Sequence, residues 1–449
     1  MGKKYRWLQR HWDRFLIGGY IFLIIYTTLV PFRFAKDPQY LLRKLSKIEW
    51  RLYFIHQGFY SGADILINVL LFVPLGFFLA LHRQFRSLRE LRLPDFFWIT
   101  LQGMLVSGFV ESLQIFTYNR HPSASDLFNN TLGTLLGALL FYACAPLLRT
   151  RIRPQVLSWF QGRPDNVMAA LLVGMVLFVQ LAPFDFGLNT HVLARQLRRF
   201  LADPWQVNLW FPSEFLVLFL LYAQLAYFLM RGLQQMGSPF LIRFWAGLAL
   251  LALAVIMELI QFGVPDRRHS VLDVLAGWTA IVYATVHLRA NNGNTVNASV
   301  VERDRPFFRM MALVYVLLIA YHLFAIPLMH WGDANALENW RYFVDPLAWL
   351  LRKDRMMTVV RLMEVATLFF PLGFFARYFL GKRFSRLTLL MGGVVFALMT
   401  EGLQIVSLPL AAHWSQIIAG ALGMWAGLDF EGFYEELFRT KNAASAPKA

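Results

Sequence analysis

Three glutamates stand in apolar stretches of the chain, where a charged side chain is costly. Glu111, Glu258 and Glu401 each lie in a run of bilayer-spanning length, and a glutamine follows each of them after three residues. A carboxylate in a membrane span costs roughly 2.5–3.5 kcal/mol on insertion scales, so it usually faces protein or water and serves a purpose. Residues three apart share a helical face. The pattern predicts three polar sites, completed by Gln114, Gln261 and Gln404.

Charged residues follow the first two glutamates at equal distances. An arginine comes nine residues later and an aspartate fifteen residues later; these are Arg120 and Asp126, then Arg267 and Asp273. The arginines are predicted either to bind an anionic headgroup or to anchor the chain at the interface. The aspartates are predicted either to bind a ligand or to cap the helices that they begin. Leucine and glutamine replace these residues after the third glutamate. We therefore expect Glu111→Gln and Glu258→Gln to impair function more than Glu401→Gln.

Each of the first two glutamates is also predicted to form an ion pair with its arginine. Nine residues rise about 13.5 Å along a continuous helix, so the span must end near Thr117, or near Val264 and Pro265 in the second case. The loop can then fold the arginine back. His121 and His269 lie beside basic residues in the same loops and are predicted to be solvated rather than ligands.

The elements that position these residues are predicted to be transmembrane helices. Of the 449 residues, 57% are hydrophobic and 16% are charged, whereas a soluble domain carries about 25% charged residues. The apolar runs approach or reach the roughly 20 residues that cross a bilayer as a helix, and they are continuous rather than alternating, which excludes barrel strands. The first four runs are Leu16 to Phe32, Ile65 to Leu81, Phe96 to Thr117 and Leu127 to Leu148.

The basic balance and the single cysteine exclude other classes of protein. The formal net charge is +16, but the basic residues lie mainly in short loops, where they orient the chain and meet lipid headgroups. Nucleic-acid binding is therefore not predicted. The only cysteine, Cys144, lies in an apolar run, so neither a disulfide framework nor a cysteine metal site is expected.

Signatures recurring in one order predict three tandem copies of one four-helix unit, and hence about twelve spans. A span ends at Pro31, Pro183 and Pro327, and the glutamates are separated by 147 and 143 residues. The segment Phe72-Val-Pro-Leu-Gly76 returns as Phe369-Phe-Pro-Leu-Gly373. The predicted boundaries are 1–150 for copy one, 151–290 for copy two, 291–298 for a linker, 299–430 for a degenerate copy three and 431–449 for a cytoplasmic tail.

Each copy contains an amphipathic segment after its proline, and the even number of spans places both termini on one side. Apolar positions three and four apart, mixed with basic residues, predict helices in the headgroup plane at Tyr40–Ile48, Leu193–Leu201 and Asp345–Lys353. The loops on the side of the termini hold 26 of the 43 lysines and arginines. Since basic loops stay inside, both termini are predicted to be cytoplasmic.

The motifs of copy one resemble those of the VanZ-like membrane family. The matching pieces are Asn68-Val-Leu-Leu-Phe-Val-Pro-Leu-Gly76, Glu111-Ser-Leu-Gln114, Arg120, Ser125-Asp126 and Asn130-Thr-Leu-Gly133. Copies two and three keep fewer of these residues. The resemblance implies a multi-pass protein of the bacterial cytoplasmic membrane. The family's namesake is associated with low-level resistance to a lipoglycopeptide-type antibiotic, and similar proteins often occur among envelope or surface-polysaccharide functions.

The function predicted first is that of a non-enzymatic membrane protein that binds, moves or screens an amphiphilic envelope molecule. A lipid-linked glycan, another lipid or a glycopeptide-type compound fits this class, and no cofactor is expected. The alternatives are a membrane-embedded hydrolase or transferase acting on a lipid-linked phosphate and a scaffold for an envelope or exopolysaccharide assembly. The sequence contains neither a nucleophile elbow nor a Gly-rich phosphate loop, which argues against the hydrolase.

Overall fold

The computed structural model divides the chain into two compact units, residues 3–158 and most of residues 159–449. It describes residues 3–29, 35, 37–46, 54–55, 58–59, 62–87, 91–118, 123–152, 159, 163–181, 190–205, 207, 211–234, 239–263, 269–290, 300–329, 336–345, 355–381, 383–407 and 413–444.

The described residues of the first unit form five α-helices and one small hairpin. Its helices are α1 (Lys3–Leu29), α2 (Pro38–Leu45), α3 (Gly62–Ser87), α4 (Leu93–Ile115) and α5 (Ala124–Leu147), and α5 continues as a π-helical turn over Leu148–Ile152. Two antiparallel strands of two residues each, β1 (Phe54–Ile55) and β2 (Gly58–Phe59), form the hairpin.

In the second unit, all the regular secondary structure of the described residues is helical. Its helices are α6 (Pro164–Leu181), α7 (Thr190–Ala202), α8 (Phe211–Leu233), α9 (Pro239–Gln261), α10 (Val271–Ala290), α11 (Val300–Ile319), α12 (Ala336–Val344), α13 (Arg355–Leu380), α14 (Arg386–Ser407) and α15 (Trp414–Ala444). After α11, a π-helical segment at Ala320–Ala325 leads into a last turn at Ile326–Met329.

Within the described residues, ten helices are long and apolar enough to cross a membrane: α3, α4, α5, α6, α8, α9, α10, α11, α13 and α14. The chain is therefore an all-α, multi-pass membrane protein. The two other predicted spans correspond to α1, whose apolar part Leu16–Leu29 is shorter, and to α15. The number twelve stays a prediction.

Helix α15 runs through the boundary predicted at residue 431. It continues to Ala444, and Tyr434 and Phe438 are buried. The cytoplasmic tail at 431–449 stays a prediction.

Short helices cover all or most of two of the three predicted amphipathic segments. Helix α7 covers the predicted Leu193–Leu201 and α2 covers most of Tyr40–Ile48. In copy three the short helix α12 ends at Val344, before the predicted start, and residues 346–354 lie outside the described residues.

The recurring glycines allow helices to pack backbone against backbone. A methyl group on Gly137 of α5 would overlap the carbonyl oxygen of Val73 on α3. A methyl group on Gly427 of α15 would likewise overlap the carbonyl oxygen of Phe370 on α13. Small residues at helix interfaces permit such close approach in membranes. The glycines shared by copies one and three therefore serve packing.

Tyrosines on neighbouring helices bind the backbone close to the prolines of the recurring motifs. Pro74 and Pro371 lie inside α3 and α13 and have no N–H to donate to the preceding turn. The Tyr20 hydroxyl donates to the carbonyl oxygen of Leu71 (2.8 Å), three residues before Pro74. The Tyr315 hydroxyl donates to Leu368, three residues before Pro371. A neighbouring helix thus binds the backbone beside each proline.

Candidate functional site

The three glutamates make the same contact, which the sequence did not predict. The carboxylate of Glu111 accepts the backbone N–H of Ser123 at 3.2 Å. Glu258 accepts the N–H of Ser270 at 2.9 Å, and Glu401 accepts that of His413 at 3.0 Å. In all three cases the donor stands twelve residues later, immediately before the next helix begins. The first N–H groups of a helix have no partner within it, so each carboxylate binds an otherwise unsatisfied donor.

The first two glutamines tie the same helices to the first helix of the copy. The Gln114 side-chain amide donates to the carbonyl oxygen of Thr28 at 3.5 Å, and that of Gln261 donates to Gln180 at 2.9 Å. Both acceptors lie one residue before the end of a helix, α1 or α6. Since the last carbonyl groups of a helix lack intrahelical partners, these glutamines also bind a helix end.

Two of the short amphipathic helices, α2 and α12, place a polar side chain near the end of a span that carries a glutamate. The Lys44 ammonium of α2 is buried and donates to the carbonyl oxygens of Gln114 (2.8 Å) and Thr117. Burial lowers the pKa of Lys44. In α12, the buried Asn339 amide donates to the carbonyl oxygen of Ile405 at 2.7 Å. One buried polar group thus anchors each of these two helices near the end of the span that carries the glutamate.

Copy one has two further polar pairs within this region. The Asn68 amide of α3 donates to the Asp126 carboxylate of α5. The Asn130 amide of α5 donates to the Ser107 hydroxyl of α4 at 2.9 Å. Ser107 and Asn130 are buried, and Oδ1 of Asn130 has no hydrogen-bond partner among the described residues.

The Ser107–Asn130 pair has apolar counterparts in the other copies. Relative to its glutamate, Ser107 corresponds to Ala254 and Ala397, and Asn130 corresponds to Gly277 and Gly420. A methyl group on Gly277 would lie 3.2 Å from Cβ of Ala254, and one on Gly420 would lie 3.5 Å from Cβ of Ala397. The two helices therefore meet at equivalent points in each copy, with polar side chains in copy one alone.

The aspartates are not the caps of their helices. Ser123 caps α5, because its hydroxyl accepts the N–H of Asp126 at 3.0 Å. The hydroxyl of Ser270 likewise accepts the N–H of Leu272 at 3.2 Å, which leaves Asp273 inside the first turn. The sequence had predicted helix capping as one of two roles for the aspartates. The serines perform this capping instead.

The arginines and one histidine of the predicted sites lie outside the described residues. These are Arg120, Arg267 and His121. The helices that precede the loops end at Ile115 and Gln261, as the predicted ion pairs require, but the pairs themselves stay predictions.

The prediction of a solvated His269 is wrong. Its side chain is 1% exposed and stacks on the Phe262 ring at a centroid distance of 4.2 Å. Its Nδ1 lies 3.6 Å from the Glu258 carboxylate. The basic neighbours in sequence favoured solvent, but the aromatic residue at the end of α9 covers the imidazole.

Sequence reasoning also missed a buried ionic cluster in the second unit. Arg231 of α8 pairs with Asp165 of α6 and Asp304 of α11. Tyr227 and Tyr434 donate to the Asp304 carboxylate at 2.8 and 2.5 Å. The cluster joins α6, α8, α11 and α15, and its multiple hydrogen bonds meet the requirement for burying charge.

A signal for part of this cluster was present in the repeat spacing. Asp13 and Asp165 are 152 residues apart, as are Pro31 and Pro183. Asp13 also binds a base on the next long helix, since its carboxylate lies 2.5 Å from Nδ1 of His82. The register of the prolines could therefore have identified a recurring acid near the start of the first span.

The match to a known family covers the part of the chain where the polar pairs occur. Residues 13–148 match the family model described as VanZ/LLP1, which is less than a third of the chain. This part is similar to the VanZ/LLP1 family, and the protein as a whole is a multi-pass membrane protein. No curated protein and no solved structure matches the chain.

Proposed function

We propose that the protein binds an amphiphilic molecule of the bacterial cell envelope at a site in copy one, and moves it or screens it from other partners. The proposal includes three tandem VanZ-like copies in the cytoplasmic membrane, about twelve spans and cytoplasmic termini. The contact that recurs from each glutamate to the residue twelve positions later supports common descent of the copies.

The observation that carries the proposal is the pair of polar contacts of copy one. The glutamate contacts recur in all copies and therefore belong to the scaffold. The Ser107–Asn130 pair is replaced by alanine and glycine elsewhere, so the scaffold does not need it. Burying polar groups costs free energy unless they are satisfied, and Asn130 Oδ1 has no partner among the described residues. A function in ligand binding accounts for retaining these groups.

The surroundings of the polar pairs fit a ligand with a polar head and an apolar chain. Asn68 and Asn130 each stand six residues from the start of their helix, or about 9 Å at 1.5 Å per residue. Neighbouring positions on the same helices expose Ile67 and Phe128. A polar head at this depth meets the half-buried Asn68 first, with the buried Asn130 behind the surface, while its chain lies along the apolar outer surface. Arg120, if it folds back, supplies a cation for an anionic head.

Native mass spectrometry of the purified full chain tests this function, with extraction and identification of any lipid that co-purifies. We expect a bound amphiphile in the wild type and its loss in Asn68→Ala and Asp126→Asn. Asp273→Asn is the matched control, because it changes the equivalent aspartate of copy two and is expected to leave the ligand bound. A wild-type protein without a bound amphiphile, or equal loss in the control, contradicts the proposal. Phosphate release from a lipid-linked substrate by the wild type would favour a hydrolase instead.

A further inference from the structure

We infer that helix α7 (Thr190–Ala202) binds anionic phospholipid headgroups through Arg195, Arg198 and Arg199. This surface lies in copy two, and the inference does not depend on the ligand proposed for copy one. The partner is a lipid of the surrounding bilayer with a negatively charged headgroup.

The residues of α7 divide into three faces at 3.6 residues per turn. Gln196 is buried and Phe200 is half-buried, and the Phe200 ring packs against Phe262 at the end of α9 at 5.6 Å. Leu197 and Leu201 lie four apart and are 49% and 69% exposed. The first face holds the helix on the protein, and the second presents apolar side chains where a soluble protein would have water.

The third face carries the charge. Arg195, Arg198 and Arg199 are exposed, and none of them forms an ion pair with a described residue. The sequence of α7 contains no acidic residue. An exposed apolar face beside a basic face is the arrangement of a helix in the membrane interface, with leucines in the acyl boundary and arginines at the headgroups. Basic residues at such a surface attract anionic lipids.

The other two short helices lack this combination of an exposed apolar face and an exposed basic face, so headgroup binding is inferred for α7 and not for them. In α2, Arg43 lies 3.9 Å from the capping Asp37 and Lys44 is buried. In α12, the single arginine Arg341 shares the helix with Glu338. Both helices expose apolar residues, such as Leu42 and Leu337. They can therefore lie in the interface, but they have no excess of exposed positive charge that would select a lipid by its headgroup.

Fluorescence quenching by spin-labelled lipids tests the inference on the full chain in vesicles. Cys144→Ser removes the only cysteine, and Leu201→Cys then carries one fluorophore on α7. The vesicles are phosphatidylcholine with a minor fraction of spin-labelled phosphatidylglycerol or spin-labelled phosphatidylcholine. The phosphatidylglycerol is expected to be preferred at least about fivefold, the factor for one basic residue at an anionic surface. High salt should reduce this preference.

Two variants and a second label position decide the outcome. Replacement of the three arginines by glutamine should abolish the preference, while replacement by lysine should retain it, because lysine preserves the charge. A fluorophore at Leu337→Cys on α12 should show little preference. Equal quenching by both lipids at α7, a preference that survives the glutamine replacement, loss of preference in the lysine variant, or an equal preference at α12 would each overturn the inference.

Discussion

The contact shared by the three glutamates makes a prediction about stability that differs from the prediction about function. Glu258 and Glu401 are buried, and their carboxylates accept a backbone N–H at 2.9 and 3.0 Å. A hydrogen bond to a charged group contributes about 1.5–3 kcal/mol, and loss of the acceptor leaves a buried donor unsatisfied. We expect Glu258→Ala and Glu401→Ala each to lower the free energy of unfolding by about 2–3 kcal/mol. Glu111 is half-buried and its contact is longer, at 3.2 Å, so about 1–2 kcal/mol is expected there.

The assay is equilibrium unfolding in mixed micelles, with each glutamate replaced by alanine and by glutamine. Glutamine keeps an oxygen acceptor and loses the charge, so it should cost about half as much as alanine. Gln39→Ala changes an exposed side chain in the first turn of α2 and serves as the control, with an expected change of about 0.5 kcal/mol or less. A cost below about 1 kcal/mol for Glu401→Ala would refute the capping role. A similar cost for alanine and glutamine would refute the role of the oxygen acceptor.

Three further predictions concern the ionic cluster, the last helix and the topology. Asp304→Asn should lower the free energy of unfolding of the second unit by about 3 kcal/mol or more, because it removes one of the two carboxylates that neutralise the buried Arg231. Unfolding in detergent measures this cost, and a value below about 1 kcal/mol would contradict the prediction. In the last helix, Tyr434→Phe should lower the free energy of unfolding by about 1.5–3 kcal/mol, because it removes the hydroxyl that donates to the buried Asp304 carboxylate. No measurable change would count against this role. Reporter fusions after Arg163 and at the C-terminus should both read cytoplasmic, and opposite readings would remove the plan of three four-helix copies.

The sequence predicted the helices well because continuous apolar runs have few alternatives in a bilayer. The run predicted at Phe96 to Thr117 is α4, Leu93–Ile115, and the run predicted at Leu127 to Leu148 is α5, Ala124–Leu147. The amphipathic segment of copy two was equally clear, because α7 combines leucines and arginines at helical spacing. The segment predicted for copy three, Asp345–Lys353, lies almost wholly outside the described residues, and the short helix α12 precedes it.

The polar contacts could be predicted only in part, because they depend on how helices meet. The spacing of the glutamates indicated a shared role, but their partners are backbone N–H groups beyond a loop, which carry no residue signature. The location of His269 depends on the ring of Phe262. The cluster around Arg231 joins residues more than 60 positions apart on several helices. Periodicity reports which face of a helix is apolar, and it does not report which polar residues on different helices touch.

The central claim is that the polar pairs of copy one bind a ligand and that the shared contacts form the scaffold. The most direct test is to replace Ser107 by alanine and Asn130 by glycine together, which gives copy one the combination already present in copies two and three. Lipid occupancy by native mass spectrometry and the melting temperature are measured on the same preparation. We predict at least about a tenfold loss of the bound amphiphile, with a fall in the melting temperature that is less than about half of the fall caused by Glu401→Ala. Retained occupancy, or a melting temperature that falls as far as in Glu401→Ala, would contradict the claim.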